Sequence, residues 1–199
     1  MAKLTLDDIS DVRAYERGRE ELRARIIALK RRRRVSIGPV VTLVFENRET
    51  VLFQVQEMAR AERIVSDEAL QVELDTYNPL IPEPGALSAT LFVELTTRAE
   101  MEEWLPKLVG VEGSIELLIG EGPDARVVRC AVDEAHARQL TRERITASVH
   151  YIRFSLEPSE IDGFASEPVV LAVNHPSYAE GVRLSDETRA TLLEDLRGR

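Results

Sequence analysis

Residues 38–53, GPVVTLVFENRETVLF, contain the change of element type that decides the fold. Gly38-Pro39 indicates a turn, and the β-branched run from Val40 to Phe45 predicts a strand. The polar residues 46–49 are typical of a hairpin tip, and they predict a second short strand over Thr50–Phe53. This segment therefore predicts an antiparallel hairpin.

An amphipathic helix is predicted before this hairpin. Tyr15, Leu22, Ile26 and Leu29 recur at spacings that place them on one helical face. The arginines at 31–34 are expected to close the helix, because cations suit the negative end of the helix dipole.

The residues after the hairpin predict two helices and then a connector. The pattern becomes helical from Gln54, and Ser66 is a typical N-cap for a second helix. Residues 77–85 contain three prolines, which fix φ and remove backbone donors, so they predict no regular structure. Because this connector contains Leu80 and Ile81, we expect it to pack against the protein.

The second half of the chain alternates strands with short helices. Strands are predicted at 87–95, 114–119, 126–132, 147–156 and 167–173, and helices from Thr97, over 135–140 and from Ser185. This pattern is typical of an α+β domain. We predict a mostly antiparallel sheet covered by helices, with the chain divided into residues 1–76, a connector at 77–86 and residues 87–199 within one compact unit.

Composition excludes several classes of protein. The chain has 199 residues, 44% hydrophobic, and its single cysteine is Cys130. One cysteine excludes an intramolecular disulfide, a thiolate-bound iron–sulfur cluster and a cysteine-rich zinc site. No stretch approaches the roughly 18 apolar residues of a membrane helix, and residues 1–5 lack the apolar run of a secretion signal. We therefore expect a cytoplasmic protein.

Positive charge is concentrated near the N-terminus. Residues 13–34 hold ten basic and three acidic side chains, a charge of +7, so the remainder carries −16 in a chain of net charge −9. A basic run can bind phosphates, which makes a phosphate-backbone interaction through Arg31–Arg34 a minor alternative. The acidic remainder would repel nucleic acid or an anionic membrane. We expect segment 13–34 to dock on the protein's own acidic body or on an acidic partner protein.

A polar cluster lies where the hairpin is predicted to lead into the next helix. Its carboxylate, amide and guanidinium groups could together bind one anionic or metal-bound ligand. The alternative is a solvent-facing helix side with ion pairs worth about 0.2–0.5 kcal/mol each. The candidate ligand-binding residues are Glu46, Asn47, Arg48, Gln54, Gln56, Glu57, Arg60, Tyr77 and Asn78.

The candidate metal ligands are Glu57, Glu94, His150 and His175. His150 shares a strand face with Ile152, and an imidazole among apolar neighbours stays in the neutral form that binds a metal or haem iron. Glu94 would be the carboxylate partner of His150 if their strands pair. No HxxxH or HExxH spacing supports a metal, so hydrogen-bonded structural histidines are the alternative.

Three stretches of the chain are distinctive. They are RRRVSIGP at 32–39 continuing into FENRETVLFQVQEM at 45–58, ELDTYNPLIP at 73–82, and VHYIRF at 149–154. Together they resemble an uncharacterised bacterial family, the domain of unknown function 3501, over nearly the whole chain. The resemblance implies no activity or catalytic residue. Genes of that family often lie beside genes for rubrerythrin and iron–sulfur oxidoreductases, which implies a shared redox or peroxide-handling module.

These observations lead to two hypotheses of different classes. In the first, the chain is an accessory or ligand-binding protein of a cytosolic redox module, and its basic segment docks on an acidic partner such as rubrerythrin or an iron–sulfur oxidoreductase. In the second, it is a metal- or haem-dependent enzyme that uses His150 and His175 with Glu57 or Glu94. The sequence requires no cofactor and does not decide whether the protein is an enzyme.

Overall fold

The computed structural model describes residues 2–132 and 145–198, which form an α+β fold. The helices in these residues are α1 (Val12–Arg33), α2 (Arg48–Glu62), α3 (Asp67–Tyr77), α4 (Arg98–Lys107), α5 (Pro158–Ser166) and α6 (Asp186–Leu196). The strands are β1 (Arg34–Ile37), β2 (Val41–Glu46), β3 (Ala86–Val93), β4 (Ile115–Ile119), β5 (Arg126–Arg129), β6 (Ala131–Val132), β7 (Val149–Ser155), β8 (Val169–His175) and β9 (Tyr178–Arg183). The helix predicted over 135–140 lies outside the described residues.

Two antiparallel sheets share one hydrophobic core. The larger sheet has the strand order β1-β2-β3-β7-β6, and the smaller sheet has the order β5-β4-β8-β9. Leu43, Leu91 and Ile152 of the larger sheet belong to the same buried cluster as Leu117 and Leu171 of the smaller sheet. Because successive strand residues point to opposite faces, the remaining side chains of the larger sheet lie on its outer face.

Helices α2 and α3 and the N-terminal residues cover this outer face. Val51 and Val55 of α2 lie about one helical turn apart and are fully buried, and Leu74 of α3 joins them. Leu4 and Ile81 complete this second hydrophobic cluster.

Of the hairpin predicted over residues 40–53, the first strand is confirmed as β2, but the second is wrong, because Thr50–Phe53 belong to the first turns of α2. Asn47 is the N-cap of this helix. Its Oδ1 accepts a hydrogen bond from the Thr50 N–H at 3.0 Å, and the Thr50 hydroxyl accepts one from the Asn47 N–H at 2.9 Å. This reciprocal cap satisfies an amide of the first helical turn and the amide of the cap residue itself.

The hairpin lies one strand earlier, between β1 and β2, and Gly38 forms its turn. Gly38 has φ +64°, and a Cβ at this position would collide with the Tyr178 hydroxyl. That hydroxyl donates to the Ile37 carbonyl at 2.6 Å and accepts from the Val40 N–H at 3.1 Å. Tyr178 begins β9, a strand that the sequence pattern does not predict, and it joins the smaller sheet to the hairpin of the larger one.

Several local predictions are confirmed. Ser66 caps α3, Thr97 caps α4 and Ser185 caps α6, each by accepting a hydrogen bond from a backbone N–H of the first turn. The amphipathic N-terminal helix is α1, although it ends at Arg33 because Arg34 begins β1.

The connector after α3 packs against the protein, since Leu80 and Ile81 are buried. The three-part division of the chain stays a prediction. In the described part of the chain, no helix is long and apolar enough to cross a membrane. The cytoplasmic location also stays a prediction.

Candidate functional site

Glu46, at the end of β2, lies in a buried polar cluster on the outer face of the larger sheet. Its side chain is 2% exposed, and Oε1 accepts a hydrogen bond from the Thr90 hydroxyl at 2.7 Å. Oε2 has no hydrogen-bond partner among the described residues. Because a buried carboxylate oxygen without a donor is costly, Oε2 marks a position where a donor would be stabilised.

Tyr151 extends this polar cluster by one strand. It lies opposite Thr90 in the register of β3 and β7, and Gln54 of α2 is hydrogen-bonded to it. Burial raises the pKa of Tyr151, Tyr77 and Glu46 raise it further, and the Gln54 bond opposes them. The phenol is therefore neutral near pH 7. The fold thus brings three of the predicted ligand-binding residues, Glu46, Gln54 and Tyr77, together around Tyr151.

A cavity of about 330 Å³ opens beside Tyr151. Its polar lining residues are Ser88, Tyr151 and Arg153. In the strand register, Ser88 lies opposite both Glu46 and Arg153, so an acid, a hydroxyl and a base follow one another across three strands. The other lining residues are apolar: Pro79, Leu80, Ala131, Val132 and Ile152.

Other predicted ligand-binding residues hold the protein's own N-terminal segment. The buried Gln56 side chain accepts from the Ser10 N–H at 3.0 Å and donates to the Ser10 carbonyl at 2.8 Å. Asn78 makes the same two bonds to Leu4, at 2.8 and 2.9 Å. Each amide therefore pairs with the backbone as a neighbouring strand would.

Arg48 adds a charged contact to this segment. It donates to the Asp8 carboxylate at 2.6 Å and to the Ala2 carbonyl at 3.2 Å. We name Arg48, Gln56 and Asn78 the N-terminal clasp. These three residues and the N-cap Asn47, which were predicted to bind a ligand, hydrogen-bond to other residues of the same chain.

Glu57 and Arg60 belong to an ion network between α1 and α2. Glu57 accepts hydrogen bonds from the Tyr15 hydroxyl at 2.7 Å and from Arg19 at 2.7 and 2.9 Å. Arg60 lies 3.4 Å from Glu57 and 3.6 Å from Glu16. The Arg19 bonds are the main cause that lowers the pKa of Glu57 to about 2, with help from Tyr15 and Arg60 and against burial.

The candidate metal ligands lie in separate places. Glu57 is held by the α1–α2 ion network, and Glu94 accepts a hydrogen bond from the Thr42 hydroxyl at 2.7 Å. His150 and His175 are in different sheets. Among the described residues, no group of three histidine, cysteine, aspartate or glutamate side chains is arranged to hold a metal ion.

The expected pairing of His150 with Glu94 is wrong. The strands do pair, with His150 opposite Leu91, but the carboxylate beside the imidazole is Glu112, because Glu94 is held on the other side of the sheet. Burial lowers the pKa of His150, and Glu112 opposes this shift. Nε2 lies 3.0 Å from the Ala147 carbonyl, which can only accept, so Nε2 carries the proton of a neutral ring.

His175 ends β8, as the sequence predicts, and both of its ring nitrogens are bonded within the fold. Nδ1 accepts from the Ser177 N–H at 3.2 Å, so Nε2 donates to the Val109 carbonyl at 3.1 Å. These bonds hold the turn between β8 and β9.

The basic segment 13–34 is divided between two sides of α1. Arg33 is buried and binds Asp195 of α6 at 2.5 and 2.9 Å, while Arg19 and Arg34 pair with glutamates. The run Arg31–Arg34 therefore does not form one surface. The exposed arginines that make no ion pair with the described residues are Arg13, Arg17, Arg23, Arg31 and Arg32.

Comparison with known proteins places this fold in a family. The family model described as "Protein of unknown function (DUF3501)" matches residues 3–196. The chain belongs to the DUF3501 family. This confirms the resemblance carried by the three distinctive stretches.

A solved structure has the same fold as this DUF3501 chain. It is the crystal structure of a novel protein of unknown function from Burkholderia pseudomallei K96243, which is 34% identical with a TM-score of 0.88. The alignment covers 98% of this chain and 100% of that one. A comparison with curated proteins finds no match.

Ser88, Tyr151 and Arg153 of this DUF3501 protein are the cavity residues that sequence reasoning missed. The alternation on β7 contained a signal, because the face that holds His150 and Ile152 leaves Tyr151 and Arg153 together on the other face. Ser88 has no local signal, since its position opposite Arg153 depends on the register of β3 and β7.

Proposed function

We propose that this DUF3501 protein is an accessory protein that binds an acidic partner protein through the outer surface of α1. The division of charge on α1 carries the proposal. The inner arginines Arg19 and Arg33 are paired with carboxylates of the protein. We define the outer α1 surface as Arg13, Arg17, Arg23, Ile27 and Arg31, which are all exposed; the exposed Glu20 lies among them and leaves the surface with a net positive charge.

Helical periodicity makes these residues one surface. Arg13 and Arg31 are separated by about five helical turns, so they lie along the same side of α1. Ile27 lies between them and is 44% exposed, whereas its neighbour Ile26 is buried. An apolar centre with a charged rim is the usual composition of a protein interface.

Charge complementarity favours an acidic protein as the partner. The chain outside residues 13–34 carries −16, so an extended polyanion along α1 would also meet a repulsive field. A compact acidic surface needs to contact only the outer α1 surface. Such complementarity raises the association rate and makes it depend on salt.

Rubrerythrin and iron–sulfur oxidoreductases are the candidate partners that the family resemblance implies. Placement in a redox or peroxide-handling module rests on that resemblance alone. The metal- or haem-enzyme hypothesis has no comparable support from geometry, because its four residues bind separate neighbours.

Charge reversal on the outer α1 surface tests the proposal. We expect rubrerythrin or an iron–sulfur oxidoreductase of the same organism to bind the wild-type protein, with affinity falling as salt rises. The double variant Arg23→Glu/Arg31→Glu should slow association about tenfold or more, because it replaces attraction by repulsion. Surface plasmon resonance at low and high salt measures both effects.

The matched control is Arg98→Glu/Arg129→Glu, which changes the net charge equally on other exposed surfaces. This control should keep near-wild-type association. If neither rubrerythrin nor an iron–sulfur oxidoreductase binds, the redox-module assignment is contradicted. Equal association rates for the two double variants would contradict the outer α1 surface as the interface. Comparable binding of duplex DNA would identify a polyanion-binding protein instead.

A further inference from the structure

We infer that the cavity beside Tyr151 binds a short-chain carboxylate that carries a hydroxyl or ammonium group at its other end. Arg153 would hold the carboxylate, and the donor would lie at the end lined by Ser88 and Tyr151, next to which Glu46 is buried. This site lies on the outer face of the larger sheet, and the inference does not depend on the docking role of α1.

Two neighbouring cations define the end that takes the carboxylate. Arg153 Nη2 donates to the Pro79 carbonyl at 2.9 Å. Lys3 Nζ donates to the carbonyls of Asn78 and Ile81 at 3.1 and 2.7 Å. Both positive groups therefore lie against one short segment of the connector. An anion beside Arg153 would reduce the repulsion between them.

With the described residues, the Arg153 side chain makes one hydrogen bond, so further N–H donors are open to a ligand. A guanidinium presents five N–H groups in a planar fork, and the bond to Pro79 uses one of them. The remaining N–H groups match the two oxygens of a carboxylate, which a guanidinium can bind in bidentate fashion. Lys3, by contrast, uses two of its three donors on backbone carbonyls. Arg153, which lines the cavity, is therefore the anion-binding group.

The opposite end requires a hydrogen-bond donor. Glu46 Oε2 is buried and has no partner among the described residues, and Glu46 lies opposite Ser88 in the register. A ligand hydroxyl or ammonium group directed toward Ser88 and Tyr151 would be attracted by the Glu46 carboxylate. A second carboxylate at this end would be repelled.

Strand geometry sets the length of the ligand. Glu46, Ser88 and Arg153 lie opposite one another on three adjacent strands, so Glu46 and Arg153 are two strand spacings, or about 10 Å, apart at the backbone. A hydrogen bond of about 2.9 Å at each end takes up part of that distance, which leaves room for roughly three to five carbon atoms between the two polar groups of the ligand. Leu80 and Val132 supply apolar contacts for those carbons.

Three probes with one carbon skeleton test this inference on the full chain: 5-aminopentanoate, 5-hydroxypentanoate and pentanoate. We expect calorimetry to show binding of the first two, with pentanoate about tenfold or more weaker. Arg153→Met should weaken the first two about tenfold or more, whereas the exposed control Arg98→Met should leave them unchanged. Ser88→Ala and Glu46→Gln should each reduce the preference for a donor-bearing ligand.

Several outcomes would overturn the inference. These are no binding of any probe at millimolar concentration, equal binding of pentanoate, or unchanged binding by Arg153→Met. If Glu46→Gln fails to fold, as circular dichroism would show, Ser88→Ala and the comparison of the three probes still decide. Arg23→Glu/Arg31→Glu should bind the probes as the wild type does, so the docking proposal and the ligand site can fail independently.

Discussion

Glu57 shows how one ionised side chain stabilises the contact between two helices. Hydrogen bonds from Arg19, and then from Tyr15 and Arg60, lower the pKa of Glu57 to about 2. A glutamate in an unfolded chain has a pKa of about 4.3. Because the folded value is lower, the stabilisation by Glu57 is complete above the unfolded pKa and is lost as pH falls from about 4.3 toward 2.

Glu57→Gln should therefore destabilise the protein in a pH-dependent way. We expect the free energy of unfolding to fall by about 1–2 kcal/mol at pH 7, because a charged hydrogen-bond acceptor is lost. The difference from the wild type should shrink as pH falls through the range in which Glu57 becomes protonated. Urea denaturation at neutral and acidic pH measures this, with the exposed Glu102→Gln as control. A difference that is constant with pH would contradict the assignment.

Single residues were predictable from the sequence where their partners are local. The partners of the Asn47–Thr50 cap are three positions apart and are visible in the sequence, although the strand-like run before them favoured a hairpin. The sequence predicts Glu46, Gln56 and Asn78 as candidate ligand-binding residues, and in the structure their side chains hydrogen-bond to other parts of the chain. Those partners lie 44, 46 and 74 residues away, so no local pattern could identify them.

The N-terminal segment illustrates stability at the scale of elements. Residues 4–10 include only one short turn of 3₁₀ helix, at Leu6–Asp8, which is too little regular structure to be stable alone. The segment is held by burial of Leu4 and by the N-terminal clasp. Its order therefore depends on side chains of α2 and of the connector.

Gln56→Ala and Asn78→Ala should each loosen this segment selectively. Each substitution leaves a backbone N–H and a carbonyl without partners, at a cost of about 1–3 kcal/mol. Hydrogen exchange should become faster over residues 4–10, while the strands of the larger sheet keep their protection. The control is Asn174→Ala, since Asn174 is an exposed amide in β8 of the smaller sheet. Unchanged exchange over 4–10 would show that Leu4 alone holds the segment.

Elements with a strong periodic pattern or a cap were predicted, whereas β1 and β9 were not, and β9 shows why. Helices α1, α3 and α6 have apolar periodicity or a serine cap, and the strands of the core are rich in apolar residues. In β9 only Tyr178 is buried, because the strand lies at the edge of the smaller sheet. An edge strand with one buried residue has too little apolar alternation to detect.

At the scale of the whole molecule, α1 and α6 meet at a buried ion pair. Arg33, at the end of α1, and Asp195, in α6, are 162 residues apart in sequence and are 3% and 2% exposed. Burial raises the pKa of Asp195, and Arg33 opposes that shift. The sequence predicts both helices but not their contact, because strand pairing and helix packing between distant segments leave no local pattern.

Breaking this ion pair from one side should be more damaging than removing it. Asp195→Asn or Arg33→Met leaves one buried group without its charged partner, and we expect a loss of about 3–5 kcal/mol in the free energy of unfolding. The double variant Arg33→Met/Asp195→Leu leaves no buried charge, so it should be more stable than either single variant. Urea denaturation measures all three, and the exposed pair Arg98–Glu102 provides the control, with an expected loss below about 1 kcal/mol. If the single variants lose no more unfolding free energy than that control, the ion pair does not stabilise the contact between α1 and α6. The surrounding apolar residues would then hold the contact, and the ion pair would only orient the two helices.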